Sequence, residues 1–369
     1  MRGLRSRLFR GKGSLANQRD AQETIAHIRN IIASVFGLTI AGGGLLAVTA
    51  AHRAERIERV DFGKVRRATA PAFDARLRPV SDAGIKEFRI PIEDATIEIA
   101  NGVRYQGWSF GGTVPGPAIR VRVGDQVRIT VVNASPMPHS IDFHAARIPA
   151  NIAYRMIMPR DSVSFEFTAR DAGAFMVHCG TPPVTMHLMQ GMYLPIIVDP
   201  ANGWGTHADK EFVLVQSEFY AKPGDRTKVE NGMLTMLPDW PAEQAKSARY
   251  VAFNGRAFQY KDNPLRVDVG DRVRFFVVNA GPNFDSDFHI VGAVFDRVYP
   301  DGNPGHALEG VQTWGIPAGG GAVFETVFEK GASGEGLYPF VTHSFADAEK
   351  GAVGIIQVGV PKLFAHMNH

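Results

Sequence analysis

From about Phe88 onward the chain alternates apolar and polar residues in short runs broken by glycine- and proline-bearing turns, and no long stretch keeps a helical period. Such runs predict short β-strands. In Arg122-Val-Gly-Asp-Gln-Val-Arg-Ile-Thr-Val-Val-Asn-Ala134, Val-Gly-Asp supplies a turn, and Val127, Ile129 and Val131 then share one face, as a half-buried strand requires. The pattern returns at an offset of 146 residues as Asp268-Val-Gly-Asp-Arg-Val-Arg-Phe-Phe-Val-Val-Asn-Ala280, with Val273, Phe275 and Val277 on the equivalent face. Asp142-Phe143-His144 matches Asp287-Phe288-His289, and Val177-His178 matches Thr342-His343. Later, Gly191, Ile196, Ile197 and Val198 run against Gly351, Ile355, Ile356 and Val358. An internal repeat of this kind predicts an all-β chain of two tandem Greek-key β-sandwiches, residues 86–200 and 201–360.

The first part of the chain has a different pattern. Ile31 to Ala51 is a run of 21 residues without a charge, and as a helix it reaches across the roughly 30 Å of a bilayer's hydrocarbon core. Residues 1–30 carry Arg2, Arg5, Arg7, Arg10, Lys12, Arg19 and Arg29 against only Asp20 and Glu23, which favours keeping them in the cytoplasm. The expectation is one transmembrane helix at 31–51, with the sandwiches on the periplasmic, extracytoplasmic side. The alternative is a cleaved secretory signal ending at Val48-Thr49-Ala50, for which a 30-residue polar leader is long. Residues 52–85 are charged and aperiodic and read as a tether; residues 361–369 read as a solvated tail.

Composition narrows the chemistry. With 45% hydrophobic and 21% charged residues in 369, the chain can bury sizeable cores and is not disordered. Forty Lys+Arg against 37 Asp+Glu is too balanced for a dedicated nucleic-acid binder. A single cysteine excludes a disulfide framework, an iron–sulfur cluster and a thiolate-rich zinc site. That cysteine, Cys179, has His178 beside it, His187 eight residues on and Met192 thirteen residues on. Together with His139 from an earlier turn, Cys179, His187 and Met192 supply two imidazoles, a thiolate and a thioether, the mixture copper uses when it shuttles between two oxidation states. Met186 and Met189 read as packing residues, with Met189 the one rival to Met192. The second copy lacks this set: His343-Ser344 stands at the late strand, with Asp347 and Ala352 near the other ligand positions.

At these residues the chain resembles the copper-containing nitrite reductases. The resemblance covers about Phe88 to Val360 and rests on Gly112-Thr-Val-Pro-Gly-Pro117, Met137-Pro-His-Ser-Ile-Asp-Phe-His144, His178-Cys179, His187-Leu-Met-Gln-Gly-Met192, Thr313-Trp314-Gly-Ile-Pro317 and the His343 region. It implies two tandem cupredoxin domains and two coppers per chain. The type 1 copper would be held by His139, Cys179, His187 and Met192, and the type 2 copper by His144 and His178 of one subunit with His343 of a neighbour. Three neutral imidazoles leave an open position for a substrate, as a catalytic metal requires.

The implied reaction reduces nitrite to nitric oxide with one electron and two protons, releasing water. Asp142 is similar to the family's catalytic aspartate, His289 to its catalytic histidine, Thr313 to that histidine's hydroxyl partner, and Val291 to an aliphatic lid over the copper. The resemblance further implies a homotrimer and an external electron donor such as a small cupredoxin or cytochrome c. The chain departs from the best-known members in three places. The stretch from Cys179 to His187 is one residue shorter, Met186 replaces a tryptophan near the surface where electrons enter, and Val294 replaces a second histidine after His289. A multicopper oxidase reducing dioxygen is the competing enzyme, but it needs paired His-X-His motifs, and the folded part has none. The competing non-enzyme is a membrane-tethered electron carrier using the sulfur site alone.

Overall fold

The computed structural model describes residues 73–224, 229–230, 233–329 and 334–360. The segment 1–30, the apolar run at 31–51 and the tail 361–369 lie outside the described residues. Among the described residues no helix is long and apolar enough to cross a membrane.

The alternating runs fold as strands. In chain order they begin with β1 (Ile85–Ala100), β2 (Val103–Phe110), β3 (Ile119–Arg122), β4 (Gln126–Asn133), β5 (Asp142–Phe143), β6 (Ser162–Thr168), β7 (Gly173–His178) and β8 (Tyr193–Asp199). Next come β9 (Lys210–Phe219), β10 (Ala221–Pro223), β11 (Val229–Glu230), β12 (Met233–Pro238), β13 (Tyr250–Phe253), β14 (Leu265–Val267) and β15 (Arg272–Asn279). The last are β16 (Ser286–Ile290), β17 (Phe295–Pro300), β18 (Leu308–Val311), β19 (Thr313–Ile316), β20 (Gly321–Val327), β21 (Gly336–Thr342) and β22 (Val353–Val358). Strands β2, β1, β4 and β6 form one sheet and β3, β8, β7 and β5 a second, with Ile92, Val127, Ile129, Val131, Phe143, Val177 and Leu194 buried in one core cluster. The later strands form another pair of sheets, β13-β9-β15-β20-β17-β18 and β14-β22-β21-β16-β19, around Phe253, Phe275, Phe288, Phe324 and Phe340.

The repeated strands β4 and β15 differ where their surroundings differ. In β4 only Val127, Ile129 and Val131 face a core, and Arg128 and Thr130 between them are half-exposed. In β15, Val273, Phe275 and Val277 face the second core while Phe276 and Val278 enter another cluster with Ala174, Met176, Tyr193 and Ile197 of the first sandwich. Replacing Thr130's polarity with Phe276 at the same place in the repeat follows from that second buried face.

One hairpin crosses this division. β12 pairs in parallel with β2, Leu234 opposite Val103, so β10–β12 extend a sheet of the first sandwich although they follow β9 in the chain. The end of the stretch read as a tether is also docked: Ala75 is buried, and its carbonyl accepts the Val213 N–H at 2.7 Å. A buried ion network joins the sandwiches beside it. Arg120 donates to both carboxylate oxygens of Asp199 and, at 2.7 Å, to Glu211; Glu211 also accepts from Arg274, whose other partner Glu325 is fully buried.

Removing Glu325 leaves the buried Arg274 with Glu211 as its carboxylate partner and with an unmet donor where Glu325 stood. Glu325→Ala is therefore expected to cost about 1–3 kcal/mol, read as a lowered urea midpoint at unchanged m-value. An unchanged midpoint contradicts the role given to the network.

Candidate metal centres and active site

Strand β7 delivers two functional side chains to opposite faces. Successive residues of an extended chain point to opposite sides, so Val177 faces the core, His178 faces outward with 13% of its side chain exposed, and Cys179 faces inward again, fully buried. Register is held on both sides, with His178 opposite Asp142 of β5 and opposite Tyr193 of β8. The Cys179 N–H then donates to the Met192 carbonyl at 3.0 Å, tying the strand end to the loop that carries the other sulfur.

Around Cys179 the expected donors converge. Its Sγ lies 3.3 Å from His187 Nδ1 and 3.8 Å from His139 Nδ1, and the two Nδ1 atoms are 3.1 Å apart. Hydrogen bonding sets the tautomer of His139. The Ser135 oxygen accepts from the Met137 N–H and its hydroxyl reaches Asp94, so His139 Nε2, 3.1 Å away, donates to it and Nδ1 keeps its lone pair. The Ser140 N–H donates to Sγ at 3.3 Å, which steadies a thiolate. Burial lowers the pKa of His139 from 6.5 to about 3, with the neighbouring His187 adding to the effect, and burial lowers that of His187 to about 4. Both rings are thus neutral at physiological pH, and two imidazole nitrogens and a sulfur aimed at one buried point fit copper's soft donor set.

The ligand loop is a short helix, Val184–Leu188, followed by a turn. Its Met192 N–H returns to the His187 carbonyl at 3.2 Å. Gly191 takes φ +105° in that turn, and a Cβ there would stand 2.7 Å from Val114 and 2.9 Å from the Trp108 carbonyl, so only glycine fits. Met192 packs in the same core cluster as Cys179, whereas Met189 packs in the second core and its carbonyl accepts the Tyr105 hydroxyl, which settles the choice between them.

The second copy repeats the turn without the donors. Ala352 N–H returns to Asp347, Val353 N–H to Gly351, and Thr342 N–H to Ala352, as Met192 does to His187, Tyr193 to Gly191 and Cys179 to Met192. Asp347 and Ala352 therefore occupy the His187 and Met192 places. Against β16 the repeat keeps its expected match: Phe288 lies opposite Thr342 as Phe143 lies opposite Val177, so His343 and Ser344 hold the places of His178 and Cys179. Against β22 there is a slip of two residues: His178 lies opposite Tyr193, two past Gly191, whereas by the β21–β22 register His343 falls opposite Gly351 itself, which brings Thr342 to the Ala352 carbonyl. A slip of two keeps every side chain on its face, so the alternation does not reveal it.

A second cluster lies on the outer face, where the ligand atoms of Asp142, His144 and His178 gather within 4.8 Å of one another. His144 Nε2 and His178 Nε2 are 3.1 Å apart, with Asp142 Oδ2 at 3.9 and 3.7 Å. His178 Nδ1 faces the Cys179 carbonyl at 2.9 Å; a carbonyl only accepts, so Nδ1 carries the proton and Nε2 presents a lone pair toward His144. Burial lowers the pKa of His178, which keeps it neutral. His343 is not in this cluster. It stands beside His289, ring centroids 5.4 Å apart, with Phe345 on it at 4.7 Å. His289 Nδ1 donates to the Gln312 carbonyl at 2.7 Å with Thr313 Oγ1 at 3.3 Å, and Val291 nearby in the chain is 46% exposed.

Sequence reasoning missed Trp108, Ser135 and Ser140. Trp108 packs its ring against both His139 and His187. The serines lie inside the Asn133–His144 stretch that held the ligand motif, but their roles depend on where their neighbours fold.

Comparison with known proteins bears on the same residues. A profile of the multicopper oxidase family matches residues 91–203. A copper-containing nitrite reductase of Neisseria gonorrhoeae is 39% identical over 272 residues, 72% of this chain and 66% of that protein. The match thus spans just under two thirds of that relative's length. A solved copper nitrite reductase of Nitrosomonas europaea is 35% identical, with a TM-score of 0.66, covering 74% of this chain and 93% of that one. The chain belongs to the copper-containing nitrite reductases. It is mostly β, with the family's cupredoxin-like sheets, a type 1 donor set of His139, Cys179, His187 and Met192, and a second histidine cluster. A solved multicopper oxidase is also similar, at 28% identity and a TM-score of 0.65. Among the described residues, however, only two groups of three or more ligand side chains occur, so the donors for a trinuclear cluster are not assembled there.

The lowered histidine values carry a pH prediction for the copper-free protein. Unfolding raises both histidines to the ordinary 6.5, so the unfolded chain binds more protons between that value and about 3 for His139 or 4 for His187. Their contribution to stability is complete above pH 6.5 and is lost as the pH falls through that window, by about 1.4 kcal/mol per pH unit for each titrating ring. Thermal melting of the copper-free protein from pH 7 to 4 should show the loss, and His139→Phe should flatten it; equal slopes in both proteins contradict the assignment.

Proposed function

We propose that this chain reduces nitrite to nitric oxide, taking one electron and two protons and releasing water, on the outer side of the membrane that residues 31–51 span. It is read as two tandem Greek-key cupredoxin domains, 86–200 and 201–360, after a cytoplasmic segment 1–30 and a tether 52–85. The observation that carries the reading is the His178–Cys179 dipeptide, which puts a thiolate in one donor cluster and an imidazole in the other. When bound, copper at the Cys179 cluster supplies a one-electron relay, and copper at the histidine cluster supplies the site that binds and reduces the anion.

The chain's own groups divide the remaining work. His144 and His178 offer Nε2 atoms on the outer face, and His343 is the third imidazole. Because His343 sits with His289 rather than with His144 and His178, each chain carries two halves of a site, and a neighbouring copy supplies the missing half. A cyclic trimer closes that arrangement. Asp142, whose carboxylate lies within 4 Å of both outward imidazole nitrogens, holds and passes one proton to a bound anion. His289 passes the other from Nε2, since its Nδ1–H is engaged by Gln312, with Thr313 steadying the ring. Val291 limits the room over the anion. Electrons arrive from a small cupredoxin or cytochrome c.

Copper content together with a nitrite-to-nitric-oxide assay on an artificial reductant tests the reading: two coppers per chain and nitric oxide are expected, and two coppers without nitric oxide defeat it. Asp142→Asn removes a proton carrier but no ligand, so both metals should stay while turnover falls by about 10²–10⁴-fold; copper loss instead refutes its role. Co-expressed His178→Ala and His343→Ala chains, each inactive alone, should regain part of the activity in mixed oligomers. No recovery would show that the site is completed within one chain.

A further inference from the structure

Three rings form a nearly equilateral triangle at the sulfur site. Trp108 lies 5.0 Å from His139 and 4.9 Å from His187, centroid to centroid, and the two imidazoles are 5.0 Å from each other. The imidazole planes stand at 86° to one another, and the indole meets them at 78° and 39°. A side chain packed on one imidazole would fix that ring alone; one packed on both fixes the angle between them. We propose that Trp108 is a positioning residue of the type 1 site, holding His139 and His187 in the mutual orientation that the metal needs in both oxidation states.

The backbone supports this. Trp108 sits on β2, opposite Asp94 of β1, so its ring is aimed from a paired strand and not from a loop. Its N–H donates to the Gln190 carbonyl at 2.9 Å, two residues before Met192, which binds the indole's strand directly to the ligand loop. The approach is close enough that a Cβ at the preceding Gly107 would stand 2.3 Å from the Gln190 oxygen. Across the loop Met186 is half-buried. The aromatic ring packed on both histidines comes from the strand side. A rigid donor set changes little on oxidation or reduction, and ring orientation is among the features neighbouring groups impose on metal-ligating histidines.

The inference rests on the copper reading of the Cys179 cluster, and its test needs no nitrite. Trp108→Leu and Trp108→Phe are compared with the parent by the visible and electron-paramagnetic-resonance spectra of the thiolate-bound copper, by its midpoint potential, and by copper affinity. Trp108→Leu should shift the spectrum and potential and weaken copper binding at this site by about tenfold or more, while Trp108→Phe, which keeps a ring, restores most of each. In the copper-free protein, ring signals of His139 and His187 in nuclear magnetic resonance should broaden in Trp108→Leu. If Trp108→Leu does not fold, Trp108→Met, closer in volume, takes its place. Parental spectrum, potential and affinity in a folded variant without a ring overturn the proposal; absence of any thiolate band in the parent overturns the copper reading beneath it.

Discussion

The pleat of one strand end governs the chemistry of this protein. Neighbouring residues on an extended backbone face opposite ways, so a histidine followed by a cysteine becomes an imidazole on the outside and a sulfur within the core. No other arrangement of two adjacent residues would put donors for two different metals so close in covalent terms while keeping their environments so unlike. The inner donors are dry and neutral, as burial of His139 and His187 shows. The outer ones are open enough for an anion to arrive and sit beside a carboxylate. A change of register at β7 by one residue would exchange the two and abolish both sites.

The two copies of the sandwich have taken different tasks on the same framework. The first retains the soft donors. The second retains the turn that would have carried them but fills it with Asp347 and Ala352, and Asp347 is occupied by Ser344 and Lys350. What the second copy contributes is at its surface, where His289, Thr313 and His343 stand together, and at its inner face, where Phe276 and Val278 seal it to the first. The Arg120–Glu211–Arg274–Glu325 chain lies along the same seam, so packing and charge both set how one copy lies against the other.

Much of this was legible in the order of residues. Period-two alternation located β4 and β15, and the repeat between them implied two similar sandwiches. The soft donors stood out because a lone cysteine among histidines and a methionine at fixed spacing has few structural excuses. Other features depend on three dimensions. Alternation says which face a strand hides and not which edge it joins, so the pairing of β12 with β2 and the docking of Ala75 had no signature. The two-residue slip between β21 and β22 preserves parity and is invisible for that reason. Trp108 reads as one more aromatic in a strand until the loop after His187 folds over it.

The claim on which the account turns is that the dipeptide joins the two centres electrically. Pulse radiolysis of the copper-loaded protein measures this: the thiolate-bound copper is reduced in microseconds by a radical, and its visible band is then followed. The account predicts that the band recovers as the electron moves to the histidine centre, at a rate independent of protein concentration, and that recovery vanishes when His178→Ala removes the outer ligand. A band that stays bleached in the parent protein, or recovers only in proportion to concentration, would contradict it.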